Sequence, residues 1–271
     1  MKLRGTLVGL LLALTATALF AHDLFIKPDS YFVEPNSSAT IPILNGTFEL
    51  SENSITADRV LDVSIAAGGK RHTPPIDSWS AGEEQDTTYL RVETKSPGTY
   101  VIGASTRHRE FSLSAADFNA YLEHDGIPDV LEARRREGEL EKDVRERYGK
   151  HVKAIVQVGN ERTDDYSVRL GYSAEIVPLM NPYALSAGDD IVVQCLVDGE
   201  PVSGQLAILG GQSADSMIAE RIGRTDESGK IRFTIDRPGH WYIKFINMVK
   251  LESSPDIDYE SKWATLTFAV R

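Results

Sequence analysis

The stretch Pro238-Gly239-His240-Trp241-Tyr242-Ile243 places a Pro-Gly turn directly before a strand that begins with aromatic residues. The same pattern occurs in the first half of the chain as Pro97-Gly98-Thr99-Tyr100-Val101-Ile102. Proline presets φ for a turn and glycine adopts positive φ without strain, so both stretches predict a turn followed by a strand. The repeat favours two similar β-sandwich domains, with convergent turn chemistry as the alternative.

Short apolar runs separated by turn residues fill most of the remaining chain. Residues 61–65 and 231–235 alternate between apolar and polar side chains, and the last run alternates across 263–270. Asp198-Gly199 is a hairpin signal, and a second turn is predicted at 227–230. Short strands at this spacing are typical of sandwiches and barrels. We predict a mainly β protein with one β-sandwich domain over residues 22–113 and a second over residues 159–271.

Residues 114–158 are richer in charge, and their apolar positions fall three or four residues apart, which predicts a helical insert between the two sandwiches. Asp125 is a candidate helix cap, Pro128 is tolerated in a first helical turn, and Gly138 is expected to separate two helices. The apolar stripe of the second helix consists of Leu140, Val144, Tyr148, Val152 and Ile155. Acid-first pairs four residues apart, each adding about 0.2–0.5 kcal/mol to a helix, are Glu141–Arg145, Asp143–Arg147 and Glu146–Lys150.

The first 21 residues have the order of a secretory signal peptide. Lys2 and Arg4 precede an apolar segment over 6–20, and small residues end at Ala21. The alternative is cleavage after Ala16-Thr17-Ala18, which fits the small-x-small preference better. No later segment approaches the ~20 apolar residues of a spanning helix. We therefore expect a periplasmic protein that is soluble after cleavage and does not insert directly into the membrane.

Composition restricts the partners. The chain has 40 acidic and 29 basic residues and a formal net charge of −11. Such a surface repels phosphate backbones, which argues against nucleic acid as a partner and mildly favours cations. Cys195 is the single cysteine, so no intramolecular disulfide can form, and its apolar surroundings predict a buried core residue.

Motifs of the common catalytic sites are absent from the sequence. It contains no Gly-x-Ser-x-Gly elbow, no glycine-rich phosphate loop ahead of Lys and Ser or Thr, and no His-Glu-x-x-His. Carboxylates are abundant, but no pair is marked by its spacing as general acid and base. We therefore predict that the protein is not an enzyme and has no catalytic residues.

Six histidines are the candidate metal ligands, and His22 is the foremost among them. Cleavage after Ala21 would make it the first residue, where its α-amine and an imidazole nitrogen form a chelate that suits nickel, cobalt or copper. A usable site needs further ligands, for which His108 and His240 are the candidates. The remaining histidines are predicted to be exposed or to cap helices, and they are His72, His124 and His151.

Six motifs spread over nearly the whole mature chain resemble those of one family of exported bacterial proteins. They are HDLFI at 22–26, NGTF at 45–48 with Ser51-Glu52, ERYGKHVKA at 146–154, VPLMNPY at 177–183, TDESG at 225–229 and YESKWATLTF at 259–268. The family is labelled as a domain of unknown function or as a periplasmic component of cobalt and nickel uptake. The resemblance implies that the second β domain is similar to transthyretin or carboxypeptidase-regulatory sandwiches. It also implies that Asp23 binds metal together with His22.

Two hypotheses of function follow. The first is a periplasmic accessory that handles nickel, cobalt or copper and passes the metal to a membrane transport partner. The second is a non-enzymatic structural or interaction module that binds a protein or glycan through its sandwiches, with exposed tryptophans as contact residues. Trp241 and Trp263 are predicted to be buried, which leaves Trp79 as the candidate contact. The oligomeric state does not follow from the sequence.

Overall fold

A computed structural model describes residues 22–84, 86–214 and 216–271, so the predicted signal peptide at 1–21 lies outside the described residues. The described residues form eighteen strands and two α-helices. In chain order these are β1 Asp23–Ile26, β2 Phe32–Val33, β3 Ser38–Gly46, β4 Val60–Ala67, β5 Lys70–His72, β6 Trp79–Ala81, β7 Thr88–Glu93, β8 Gly98–Thr106, β9 Arg109–Leu113, α1 Ala115–His124, α2 Pro128–Glu137, β10 Val144–Val158, β11 Ala174–Pro178, β12 Asp190–Val197, β13 Glu200–Pro201, β14 Leu206–Ser213, β15 Ser216–Arg224, β16 Lys230–Thr234, β17 Gly239–Lys250 and β18 Tyr259–Val270.

The strands form three sheets. A ten-stranded sheet runs in the order β15-β14-β17-β18-β10-β8-β4-β5, and β2 and β9 also pair with β10. Strands β1-β3-β7-β6 form a second sheet, and β11-β12-β13 with β16 form a third. At the centre of the large sheet β10 and β18 pair in parallel, with Lys150 beside Trp263. Strand β10 is thus surrounded by other strands along its length.

The two smaller sheets lie on opposite faces of the large sheet. On one face, Thr265 and Thr267 of β18 donate hydrogen bonds to the main-chain oxygens of Leu24 and Ile26 in β1. On the other face, Lys262 of β18 reaches Asp198 in the β12–β13 turn at 2.5 Å. Odd- and even-numbered residues of a strand point to opposite faces. The molecule therefore has three layers, with the large sheet in the middle.

Apolar residues from all three sheets form a common buried core. Trp241 and Leu266 of the large sheet are fully buried in it. Cys195 of β12 is buried as well, which confirms its prediction as a core residue. Burial raises the pKa of its thiol to about 12, so the thiol stays protonated and weakly nucleophilic.

The predicted mainly β class is confirmed, and so are several predicted turns. Asp198 and Gly199, with φ of 51° and 85°, connect β12 to β13 as the hairpin signal required. Gly98 and Gly239 are the first residues of β8 and β17, so both copies of the Pro-Gly pattern lead into strands.

The first part of the predicted insert is helical. Helix α1 begins after Ser114, whose side chain accepts a hydrogen bond from the Asp117 amide, and α2 has Pro128 in its first turn as predicted. Asp125 does cap a helix, as predicted, but at the C-terminal end of α1, where its main-chain amide donates to the Tyr121 oxygen; Ile127 is the residue that precedes α2. The two helices are separated at 125–127, and Gly138 ends α2 with a left-handed φ of 71°.

The helix predicted over the stripe from residue 140 to 155 is wrong, because Val144–Val158 forms strand β10. The arginines of the expected helical pairs bind across strands instead: Arg145 contacts Glu110 at 3.2 Å and Arg147 contacts Glu260 at 2.8 Å. A four-residue spacing puts side chains on one side of a helix and also on one face of a strand. The β-branched residues that follow position 151 favour the strand.

Strand β10 connects parts of the chain that are distant in sequence. It pairs with β8 and β9 on one side and with β18 on the other, so strands from both predicted domains share one sheet. The division into domains at 22–113 and 159–271 stays a prediction. Among the described residues, no helix has the length and hydropathy needed to cross a membrane.

Candidate functional site

Strand β10 carries ionisable residues on both of its faces at the centre of the molecule. Its even-numbered residues face β1 and α1, where Lys150 donates to the main-chain oxygen of His22. Its odd-numbered residues face the third sheet, where the Lys153 Nζ lies 2.8 Å from the Glu175 Oε1. Two separate polar clusters therefore flank one strand.

His22 lies at the edge of the even-numbered face, directly before β1. Its imidazole Nε2 is 3.5 Å from the Glu52 Oε2, and the two side chains are 34% and 45% exposed. Its main-chain oxygen accepts a hydrogen bond from the buried Lys150, whose Nζ is also 3.3 Å from the Asn45 Oδ1. The backbone of His22 is thus held in place while its ring remains accessible to solvent.

Asp23 is already engaged by a cation. Its Oδ2 lies 2.6 Å from the Lys244 Nζ, and both side chains are mostly buried. The same ammonium is 3.5 Å from Glu220, and these carboxylates outweigh desolvation and raise the pKa of Lys244. Lys244 therefore stays protonated, and Asp23 could bind a metal only by giving up this ion pair.

Two carboxyl groups lie near Lys150, the residue that binds the main chain of His22. Each of them has one buried oxygen without a hydrogen-bond partner among the described residues. Glu146 is fully buried, and its Oε1 accepts from Ser261 and from Tyr121, while Oε2 has no partner among the described residues. Asp125 binds the His124 Nδ1 through Oδ1 at 2.6 Å, while its Oδ2 is buried without a partner in the same part of the chain. Such groups are rare in folded proteins, because each lost hydrogen bond has a free-energy cost.

Burial dominates the acid-base behaviour of this cluster. Desolvation raises the pKa of Glu146 to about 7 and that of Asp125 to about 6. Desolvation also lowers the pKa of the Lys150 ammonium to about 8, although the nearby carboxylate of Asp23 opposes this shift. All three groups therefore change charge close to neutral pH.

The opposite face of β10 holds a second cluster around His151. Its Nδ1 is 2.8 Å from the Ser105 Oγ, and its Nε2 is 2.8 Å from the Ser173 Oγ. Burial lowers the pKa of His151 to about 4, so the imidazole is neutral at physiological pH. The prediction of a solvated or capping histidine is wrong, because His151 lies buried on a strand.

His108 belongs to this second cluster and not to the surroundings of His22. The exposed ring packs over Gly149, an odd-numbered residue of β10. The main chain of His22 is bound by Lys150, whose side chain points to the other face. The large sheet consequently separates His108 from His22.

His240 lies beyond the end of β1 that is farther from His22. Strand β1 runs along β18 with Leu24 over Thr265, whereas His240 pairs with Ala269 and its ring contacts Tyr31 at 4.9 Å between centroids. At ~3.3 Å per residue, His240 is roughly 20 Å from His22. The structure thus brings neither His108 nor His240 near His22, and the Asp23 carboxylate binds Lys244 instead.

Among residues 22–84, 86–214 and 216–271, no group of three or more His, Cys, Asp or Glu side chains is arranged so that it could hold a metal ion. Glu52, Asp125, Glu146 and Lys150 were not singled out from the sequence as site residues. The β-branched residues at 152, 155, 156 and 158 are a signal for a strand, but no local pattern marks Glu146 and Lys150 as buried.

The tryptophans bear on the interaction-module hypothesis. Trp241 and Trp263 are buried, as predicted. Trp79 is half-buried, and its Nε1 donates to the main-chain oxygen of Ile55 at 2.8 Å. An indole bound in this way is part of the fold's own packing. Binding of a protein or glycan stays a prediction.

Stacked sheets with two short helices, and ionisable groups buried on the central strand, define a layered, mainly β protein. The chain belongs to the family described as Domain of unknown function (DUF4198), whose profile matches residues 19–248. No curated protein matches the chain.

Several solved structures show a distant similarity. The D0-D1 domain of intimin is 11% identical over 91% of this chain and 97% of that one, with a TM-score of 0.22. The fibronectin(III)-like modules of Clostridium thermocellum CbhA are 9% identical over 91% and 94%, with a TM-score of 0.21. A Salmonella alpha-2-macroglobulin mutant is 9% identical over 91% and 15%, with a TM-score of 0.26. Similarity at these TM-scores supports no inference about function.

Proposed function

We propose that this chain is an exported, non-enzymatic binding protein that takes up a divalent transition metal at His22 in the periplasm. Nickel, cobalt or copper would be its cargo, and a membrane transport protein its partner. The observation that carries the proposal is the pairing of the accessible His22 Nε2 with the Glu52 Oε2 at 3.5 Å. This pairing supports the proposal because a carboxylate oxygen lies beside the residue that export would turn into a chelating terminus.

The chemistry depends on where the signal peptide is removed. Cleavage after Ala21 would free an α-amine on His22, which together with the ring Nδ1 offers two nitrogen donors to one ion. Glu52 would supply a carboxylate after rotation of its exposed side chain. Lys150 holds the main-chain oxygen of His22 and so reduces the motion that a free chain end would lose on binding.

The proposed ligand set differs from the one expected from the sequence. It consists of His22 and Glu52, because His108 and His240 lie elsewhere and Asp23 is bound to Lys244. The net charge of −11 supports attraction of cations to this surface.

The decisive comparison uses two versions of the exported protein, one beginning at His22 and one at Leu19. Calorimetric titration with nickel, cobalt and copper is expected to give an affinity at least about tenfold higher for the chain beginning at His22, since only that chain has the amine chelate. Intact mass of the exported protein identifies its natural first residue. Equal affinities for the two chains, or a natural start at Leu19, would contradict the proposal.

Substitutions test the two ligands separately. In the chain beginning at His22, His22→Ala and Glu52→Gln are each expected to weaken binding by at least about tenfold. His72→Ala is the matched control, because His72 is an exposed histidine on β5 outside this cluster. An effect of His72→Ala as large as that of His22→Ala would indicate nonspecific binding to surface histidines.

A further inference from the structure

Gly149 leaves an opening between two histidines on the odd-numbered face of β10. A Cβ atom at this position would lie 3.2 Å from the His108 Nε2 and 3.5 Å from the His151 Nε2. It would also come within 2.8 Å of the His108 Cδ2, closer than real Cβ contacts allow. Both imidazole nitrogens therefore flank one point that only glycine leaves open.

The two rings differ in how firmly they are held. His151 is buried, and serine hydroxyls bind both of its nitrogens. When the Ser105 Oγ accepts from Nδ1, the His151 Nε2 accepts from the Ser173 hydroxyl, and this nitrogen lies 3.5 Å from the place that a Cβ of residue 149 would take. His108 is exposed, so its ring can turn toward the same point. One nitrogen is thus oriented in advance and the other is adjustable.

A carboxylate lies in the same group of residues. The main-chain amide of Asp198 donates at 2.9 Å to the main-chain oxygen of Ser173, the residue whose hydroxyl contacts His151. The Asp198 Oδ2 binds the Lys262 Nζ, and Lys262 is the register partner of Gly149 on β18. Asp198 thus belongs to the cluster through its backbone and through its side chain.

We propose that His108, His151 and Asp198 form a binding site for a divalent transition metal ion over Gly149. Imidazole nitrogens with a carboxylate suit zinc, copper and nickel. Binding requires the exposed side chains of His108 and Asp198 to turn inward, because metal–nitrogen distances are about 2.0–2.1 Å. Ser173 gives up its hydrogen bond to His151 when the ion binds.

Lys262 is the cation that would oppose the metal ion, and its surroundings offer it another partner. The Glu260 Oε2 lies 3.9 Å from the Lys262 Nζ. When Asp198 turns to the metal, Lys262 can shift toward Glu260, which also binds Arg147. The ammonium therefore keeps an anionic neighbour while Asp198 changes partner.

This site is independent of the proposed function, because the large sheet separates it from His22. The test accordingly uses the exported protein with His22→Ala and titrates it calorimetrically with zinc and nickel. One ion per molecule is expected to bind. Adding His108→Ala or Asp198→Asn is expected to raise the Kd by at least about tenfold. Asparagine tolerates the φ of 51° at position 198, so this substitution preserves the turn.

Two further variants make the result specific. Gly149→Ala fills the opening and is expected to weaken binding to a similar extent, while His72→Ala in the same background should leave the Kd unchanged. Unfolding by heat, monitored by circular dichroism, verifies that each variant is folded. Absence of metal binding in the His22→Ala protein, or an unchanged Kd with His108→Ala, would overturn the proposal. Failure of the His22 site alone would leave the titration of the His22→Ala protein unaffected.

Discussion

Glu146 and Lys150 lie on the same face of β10, and burial moves the pKa of each toward neutrality. A carboxyl group with a pKa of about 7 and an ammonium with a pKa of about 8 are both partly titrated at neutral pH. Their burial has a free-energy cost, since removal from water disfavours the charged form of either group. The stability of the fold should therefore depend on pH in a range where most proteins are insensitive to it.

We predict that Glu146 causes part of a stability loss between pH 5 and pH 8. Its pKa in the folded protein, about 7, is above the ordinary value of 4.5, so the folded state binds the proton more tightly. The resulting stabilisation is complete below about pH 4.5 and is lost as the pH rises through about 7. Its size is on the order of 1–3 kcal/mol.

Urea unfolding of the wild-type protein and of Glu146→Gln at pH 5 and pH 8 measures this effect. The amide side chain does not titrate, so the variant should lose less stability than the wild-type protein between the two pH values. The same loss in both proteins would show that Glu146 does not carry this proton.

At the scale of single elements, α2 and β10 illustrate two different outcomes. The end of α2 followed from local chemistry, because Gly138 takes a left-handed conformation that closes the helix. The conformation of β10 did not follow from local chemistry, because the spacing of residues 144, 148 and 152 is compatible with one face of a helix or of a strand. Its state depends on β8, β9 and β18, which supply its hydrogen-bond partners.

Replacement of Gly138 by alanine is expected to lower the free energy of unfolding by about 1 kcal/mol. A Cβ at this position would meet no atom within 4 Å, so the cost comes from the φ of 71° alone. Gly138→Asn is the matched control and should cost less, because asparagine adopts this conformation more readily. Urea unfolding at a single pH measures both; equal losses for the two variants would point to a cause other than φ.

For the whole molecule, the parallel pairing of β10 with β18 is the connection that matters most. It brings residues 146–154 next to residues 259–267 and places strands from both predicted domains in one sheet. Buried residues of all three sheets contribute to the common core. We therefore expect the two halves to unfold together.

Leu266→Ala tests this expectation, because Leu266 is fully buried on β18. The cavity should lower the free energy of unfolding by about 2–5 kcal/mol. Hydrogen exchange should show reduced protection in β8 and in β17, which lie in different halves of the chain. Reduced protection confined to β17, with β8 unaffected, would instead favour two independently folding domains.

The sequence by itself determined the mainly β class, the turns at Gly98, Asp198-Gly199 and Gly239, the Pro128 start of α2 and the burial of Cys195. These features depend on residues that are adjacent in the chain, whose φ preferences and apolar alternation act locally. His22 was also marked by its position after a predicted signal.

Only the tertiary structure decided that residues 144–158 form a central strand. It also decided that Glu52 is the carboxylate beside His22, and that His108 meets His151 on the opposite face. The reason is physical: the partners of these residues come from distant parts of the chain, and the face to which a side chain points has meaning only after the sheets have paired. Local patterns carry no information about that pairing.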